Sequence, residues 1–239
     1  MVVVIAWDVF VTLSGIQPYL LPRPTRVAAV LLDPQWRWLE HAVVTALEVI
    51  GGFALSAILG MVIGVLVTWS DSLRMAVLPF LVLFNSLPKI ALAPLFIIWL
   101  GYGLIPNMWI AFLVAFFPVA LNTARGVVEI DPDFIDLASI LRTPRWRVYW
   151  HIRLANALPY IFTGMKVAST QAVVGAIIGE FVASSKGLAG LIMAAQASLS
   201  VDIILGALVW ISLLGLTLFG FISLVEWWLM PWARHSRRG

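Results

Sequence analysis

Five stretches of this chain are apolar enough, and in most cases long enough, to cross a lipid bilayer, which limits the fold before any motif is considered. About 20 consecutive apolar residues of helix span a hydrocarbon core. Residues 42–69 contain one charge, Glu48, and residues 75–100 contain one, Lys89. Residues 105–122 are shorter but uncharged, and residues 160–181 and 203–228 complete the set. With 62% apolar residues, 11% charged residues and a mean hydropathy of +1.01, the chain is unlike a soluble domain, in which about a quarter of residues are charged. The expected fold is all-α and polytopic, one domain over residues 1–239, with no internal repeat and no low-complexity linker.

An N-terminal run, residues 1–15, is too short to cross alone and carries Asp8, so it reads as a short or truncated first span. A cleaved signal peptide would need a basic start and a small-x-small cleavage site, and neither is present. Residues 25–32 read as a short surface helix capped by Thr25, and residues 189–199 as a helix that dips partly back into the protein.

Residues 129–159 break the apolar pattern with a charged, helical segment. Five of the fifteen Lys and Arg residues lie in or beside it: Arg125, Arg142, Arg145, Arg147 and Arg153. Asp131-Pro132-Asp133 supplies an acidic helix start, and Thr143-Pro144 a second one. The segment resembles the EAA loop of ABC importer permeases. Asp136, Leu137 and Ala138 stand at Glu-Ala-Ala, Ile152-Arg153-Leu154 at the later Ile-x-Leu, and Ala157-Leu158-Pro159 at the closing Ala-Leu-Pro. Arg142 replaces the pattern's Gly at the turn, and Ala155 replaces its first Pro, so Thr143-Pro144 is expected to make the turn instead. Trp7-Asp8, Pro22-x-Pro24, Pro88–Pro94, Phe117-Pro118 with Asn122, Gly175–Glu180 and Lys186-Gly187-Leu188 extend the likeness to the nitrate, sulfonate and taurine branch of these permeases.

This resemblance implies a type I importer permease, with a five-span core plus the N-terminal span. It further implies a second permease copy, two cytoplasmic ABC ATPase subunits and an external solute-binding protein. ATP and Mg would then be held by the ATPases and no cofactor by this chain. The coupling surface would comprise Asp136, Leu137, Ala138, Leu141, Arg142, Thr143, Pro144 and Arg145. The absence of any G-x-x-x-x-G-K-[ST] sequence fits a permease that relies on a separate ATPase.

Basic residues set the orientation of membrane proteins. Placing the charged loop and C-terminus on one side collects nine of them, including Arg74, Arg234, Arg237 and Arg238, against four on the other: Arg23, Arg26, Arg37 and Lys186. The expectation is a multi-pass protein of the bacterial inner membrane with a cytoplasmic C-terminus. Trp36, Trp38, Trp227, Trp228 and Trp232 read as interfacial anchors. A net charge of +3, with the basic residues clustered mostly in loops rather than along one face, argues against nucleic-acid binding.

Glu48, Lys89, Lys166 and Glu180 are the ionisable groups this reading places within spans. Glu48 and Glu180 lie near outer ends, where water would hydrate them, and Lys166 is close enough to the inner interface to snorkel. Lys89, beside Asn85 and between Pro88 and Pro94, has two open roles: lining the translocation path, or pairing with Glu48 or Glu180. Lys89, Asn85, Glu48 and Glu180 are therefore the path candidates. Gly52, Ser56, Gly60 and Gly64, and likewise Gly164, Ala168, Ala172 and Ala176, form smooth helix ridges for close packing, within one subunit or at a subunit seam.

His41, His151 and His235 form no ligand cluster, and without Cys there is no thiolate site, so no metal is expected. An intramembrane enzyme would need paired catalytic groups in facing spans, and a passive channel would leave the charged loop without a role. For cargo, the runs Pro88–Leu95 with Trp99-x-Gly101, Ala157–Tyr160 and Pro231-Trp232 look nearest to importers of pyrimidine precursors and riboflavin. Lys89 alone would suit an anion, whereas a Lys89 neutralised by Glu48 or Glu180 would permit either. The expectation is a small planar heterocycle.

Overall fold

The computed structural model describes residues 2–184 and 186–231, together with all side chains in these ranges except those of Arg145 and Ala183. Trp232, Arg234, His235, Arg237 and Arg238, which enter the anchor, metal and orientation expectations, lie outside the described residues. The described residues form helices and connecting turns: α1 (Val2–Ser14), α2 (Pro24–Leu32), α3 (Trp38–Val67), α4 (Asp71–Asn85), α5 (Ala93–Leu100), α6 (Leu104–Val128), α7 (Pro132–Ile140), α8 (Arg145–Arg147), α9 (Leu154–Ala183), α10 (Leu188–Ala197) and α11 (Val201–Leu229). Four helices are long and apolar enough to cross a membrane, and α4 with the segment through α5 makes a fifth, broken span.

The core is a three-helix layer with α6 between α3 and α9. It depends on small side chains, because lipid offers helices no hydrophobic drive to associate and close approach must supply the contact. A Cβ added at Gly52 would lie 2.5 Å from Ala111 Cβ, and one at Gly60 2.8 Å from Val119 Cβ. Gly64 is equally tight against Thr123. Ser56 closes the same seam by donating to Phe112 O at 3.0 Å. On the other face of α6, a Cβ at Gly164 would lie 2.9 Å from Pro118 O, and Ala168, Ala172 and Ala176 are fully buried. Both ridges thus pack inside one chain.

Several boundaries differ from the sequence expectation. The run 75–100 is not one straight helix: α4 and the Lys89–Leu100 segment meet at a bend of 83°. Pro88 lacks an N–H and disfavours helical backbone at Leu87, so the chain breaks there and restarts as a 3-10 turn over Lys89–Leu92. Nor is the second half of the charged loop a separate helix. A π-helical stretch, Val148–Arg153, carries it directly into α9, with Pro159 inside the helix. Thr25 does not cap α2; the helix begins at Pro24 after Arg23, with no side-chain cap. Instead, α2 is fixed to the bundle by Arg26, which pairs with Asp202 of α11 at 2.8 Å, and by Trp38 Nε1, which donates to Val30 O.

Candidate functional site

The charged loop is built as a rigid platform at one end of the bundle. Asp131 starts α7 by accepting from Asp133 N at 3.1 Å, and Pro132 occupies the first helical position, where its missing N–H costs nothing. At the other end of α7, Thr143 N donates to Ala138 O and Arg142 N to Ser139 O, both at 2.9 Å. This paired bonding closes a helix when the next residue is left-handed. That residue is Arg142, at φ +49°. The turn is therefore made by Arg142 itself in a glycine-like conformation, and the next helical turn starts at Pro144, whose carbonyl accepts from Arg147 N and Val148 N.

Three side chains, Tyr149, Asn156 and Glu129, tie the platform to the spans. The Tyr149 hydroxyl donates to Val65 O at 2.7 Å and lies 3.0 Å from Thr68 Oγ1, and its ring packs on Trp69. Asn156 donates to Gly126 O and Glu129 O, joining the end of α6 to the start of α9. Glu129 accepts from Arg125 at 2.7 Å and from Tyr160 at 3.2 Å, and the Arg125 guanidinium holds its carboxyl below the usual carboxylate range. Between α7 and the turn from α3 to α4 lies a cleft of about 740 Å³, with Asp71, Ser139, Arg142 and Arg153 on its walls.

The outward side of α7 is apolar. Phe134, Leu137, Ile140 and Leu141 are 53–78% exposed, although this helix is the part of the chain richest in neighbouring charge. A contiguous exposed apolar patch of this kind marks a protein–protein or a membrane contact. Asp136 and Pro144 are exposed beside it, and Thr143 is half-buried. Ala138 departs from the expected contact set: it is only 6% exposed and packs the loop against its own chain.

The path candidates separate into two places. Lys89 pairs with neither Glu48 nor Glu180. Its ammonium donates to Asn85 O at 2.6 Å and Asn85 Oδ1 at 3.0 Å and sits 5.2 Å from the centre of the Phe117 ring. This places Lys89 and Asn85 at the break of the bent span. Glu48 and Glu180, expected to be hydrated, are each 1% exposed, at the end of the bundle opposite the loop. Asn107 donates to Glu48 at 2.8 Å and Thr45 to Glu180 at 2.5 Å, while α10 lies against them. Lys166 pairs with Glu226 of α11.

Sequence reasoning missed Tyr149, Asn156, Asn107, Thr45 and Glu226. Glu226 was legible as a charge inside the last apolar run, one that needs a partner in lipid. The others carry no local signal, because their partners are far away in sequence. Among the described residues, no group of His, Asp and Glu could hold a metal ion.

Residues 56–238 match the family described as binding-protein-dependent transport system inner membrane component. The chain is 33% identical to the riboflavin transport system permease protein of Chloroflexus aurantiacus, over 97% of this chain and 87% of that protein. It is 28% identical to the formylaminopyrimidine transport permease protein of Halalkalibacterium halodurans, over 99% and 94%. A putative aliphatic sulfonates transport permease protein of Bacillus subtilis is 27% identical over 100% and 87%. With this match across most of its length, its spans and its platform, the chain belongs to the binding-protein-dependent inner membrane components, the permeases of ABC importers for small solutes.

Proposed function

We propose that this chain pairs with a second copy of itself to form the path of an ATP-driven importer. Cytoplasmic ABC ATPases dock on its α7 platform, and an external solute-binding protein delivers cargo at the opposite end. The observation that carries this reading is the exposed apolar side of α7, held on a platform tied to α3, α6 and α9. ATP binding closes the ATPase pair, and the platform passes that movement to the spans it is bonded to. Nucleotide therefore biases a two-state membrane element through contacts that differ between its states. The chain supplies a path and a lever, and ATP and Mg belong to the ATPases. The bias of basic residues supports a cytoplasmic loop and C-terminus.

The proposed cargo is a small planar heterocycle rich in hydrogen-bond acceptors. The riboflavin and formylaminopyrimidine permeases among its relatives support this, and Lys89 at the span break offers a donor to ring carbonyls and nitrogens. One observation favours a second reading, an anion: Lys89 has no acidic partner among the described residues. Uptake by vesicles carrying the permease, its ATPase and its binding protein decides between them. ATP-dependent uptake of a pyrimidine or flavin is expected, with only a moderate fall in Lys89→Gln. Robust uptake of a sulfonate or nitrate, with none of any heterocycle and collapse in Lys89→Gln, would replace the first reading with the second.

A further inference from the structure

At the end of the bundle away from the platform, two carboxyl groups meet inside the protein. Glu48 of α3 and Glu180 of α9 are each 1% exposed, and each is held against a neighbour of the other: Glu180 takes the hydroxyl of Thr45, one turn before Glu48 on α3, and Glu48 takes the amide of Asn107, on which Gly179 packs. No Lys or Arg pairs with either among the described residues. The groups bonded to them are Thr45 from α3, Asn107 from α6 and an N–H of the first turn of α10, while His41, one turn before Thr45, bonds to Gly187 O. Glu180 is well supplied with donors: Oε1 takes the Thr45 hydroxyl at 2.5 Å and Oε2 takes Ala189 N at 2.6 Å. Thr45 Oγ1 also accepts from Leu188 N at 2.9 Å. Glu48 is poorly supplied by comparison. Asn107 donates to its Oε1 at 2.8 Å, and Oε2 is buried with no donor.

Two ionised carboxylates side by side, closed off from water and without a cation, are not a stable arrangement; such a pair holds a proton. The donors identify which carboxyl is the anion. Glu180 faces the positive end of α10 and receives two hydrogen bonds, the environment of an ion. Glu48 has a free oxygen, the environment of an acid that donates. The backbone fits this arrangement too. Gly187, at φ +93°, runs so close to the Glu180 carboxyl that a Cβ would collide with it. His41 Nδ1 lies 2.9 Å from Gly187 O, and because a carbonyl only accepts, that nitrogen carries the hydrogen.

We propose that Glu48 and Glu180 are a one-proton pair that positions α10: Glu48 keeps the proton and donates it to Glu180, and Glu180 caps α10 through Ala189 and Thr45. Neither residue touches cargo. Both act through the seating of the helix that closes this end of the bundle. The consequence for transport rests on the importer reading above, whereas the shared proton does not.

The test uses the complete complex, permease with ATPase and binding protein, in vesicles. Raising the pH on the α10 side should remove the proton, leave two adjacent anions and reduce uptake. Glu48→Gln keeps a neutral donor, so uptake should stay within about two-fold of the wild type and lose its fall at high pH. Glu180→Gln removes the anion from the cap, and uptake should drop about ten-fold or more. His41→Gln should leave the pH dependence in place. Equal losses in Glu48→Gln and Glu180→Gln, or an unchanged high-pH fall in Glu48→Gln, would overturn the proposal. Infrared titration of the purified complex reads the proton without transport. A carboxylic-acid C=O band should disappear as pH rises and be missing from Glu48→Gln. No such band would overturn the pair whatever the uptake shows. The band together with no ATP-driven uptake of any small solute by the wild type would instead count against the importer reading.

Discussion

The two ends of the α3–α6–α9 layer handle polar and apolar groups in opposite ways. At the platform end, apolar side chains of α7 are exposed, while the polar groups Tyr149, Asn156 and Glu129 serve as tethers to the spans. At the α10 end, charged and polar groups go inside: Glu48, Glu180, Asn107 and Thr45 are buried and bonded, mostly to one another. An exposed apolar face is unfinished and is completed by a partner. A buried polar cluster holds its own helices in one arrangement, because in low dielectric each lost bond is expensive. On the reading proposed above, one end is moved by the ATPases, and the other stays closed until the bundle itself rearranges.

The strongest way to break this comparison is to part the layer that both ends share. Gly60→Leu places a side chain where even a Cβ would lie 2.8 Å from Val119 Cβ. The cost is about 3 kcal/mol or more, since overpacking on this scale has to separate two helices. Thermal scans and gel filtration in detergent should show a destabilised or unassembled chain. Leu59→Ala, on a half-exposed face of the same helix, should be tolerated, and equal tolerance of the two would mean that α3 does not meet α6 through this ridge.

Removing one hydroxyl from each end compares the ends directly. Thr45→Val keeps shape but takes donors and acceptors from Glu180 and Leu188 in a site with no access to water, at about 2–3 kcal/mol because the partner is charged. Tyr149→Phe takes a bond from Val65 O at the less buried end, at about 1 kcal/mol. The first should lower thermal stability clearly more than the second. Tyr149→Phe should instead weaken coupling, with ATPase association kept and uptake per ATP reduced. The reverse ranking of stabilities would erase the distinction drawn between the ends.

A smaller effect, of opposite sign, belongs to the turn after α7. A non-glycine residue in left-handed backbone costs about 1–2 kcal/mol, so Arg142→Gly should stabilise the platform by up to about that amount. Slower proteolysis of the loop in the purified chain would register the gain. Faster proteolysis would mean that the Arg142 side chain makes interactions whose loss outweighs the strain.

The sequence made the spans visible because apolar length is a local property, and α7 visible because Asp131-Pro132-Asp133 is a local start signal. The bend at Pro88 was half legible: the proline was seen, but an apolar run reads as continuous whether or not its helix is. Arg142 was recognised as the odd residue at the turn, yet the remedy was expected from Thr143-Pro144 rather than from strain accepted at Arg142 itself. The pairing of Glu48 with Glu180 was hidden for a different reason. Each residue alone is a charge near the end of a span, and nothing in either neighbourhood says that α6 and α10 close over both. The inward turn of Ala138 was hidden likewise, since the cleft it lines is shared with the turn after α3 and the π-helical stretch, both distant in sequence.

The change with the smallest effect on the chain should have the largest effect on its partner. Ile140 is 78% exposed at the end of α7 and supports nothing in its own chain. Exposed substitutions usually shift stability by less than about 0.5 kcal/mol. Ile140→Asp should therefore leave membrane insertion, thermal stability and the platform's protease resistance unchanged. An ATPase groove that receives an apolar helix face would have to desolvate the new carboxylate without a partner for it, a penalty well above what one apolar side chain contributes to docking. Co-purification of the ATPase should fall sharply, and ATP-driven uptake with it. Ser198→Asp, an exposed change at the far end of α10, controls for added charge and should leave association intact. If Ile140→Asp keeps the ATPase bound, the exposed apolar face of α7 is not the docking surface. The two ends would then differ only in burial and not in purpose.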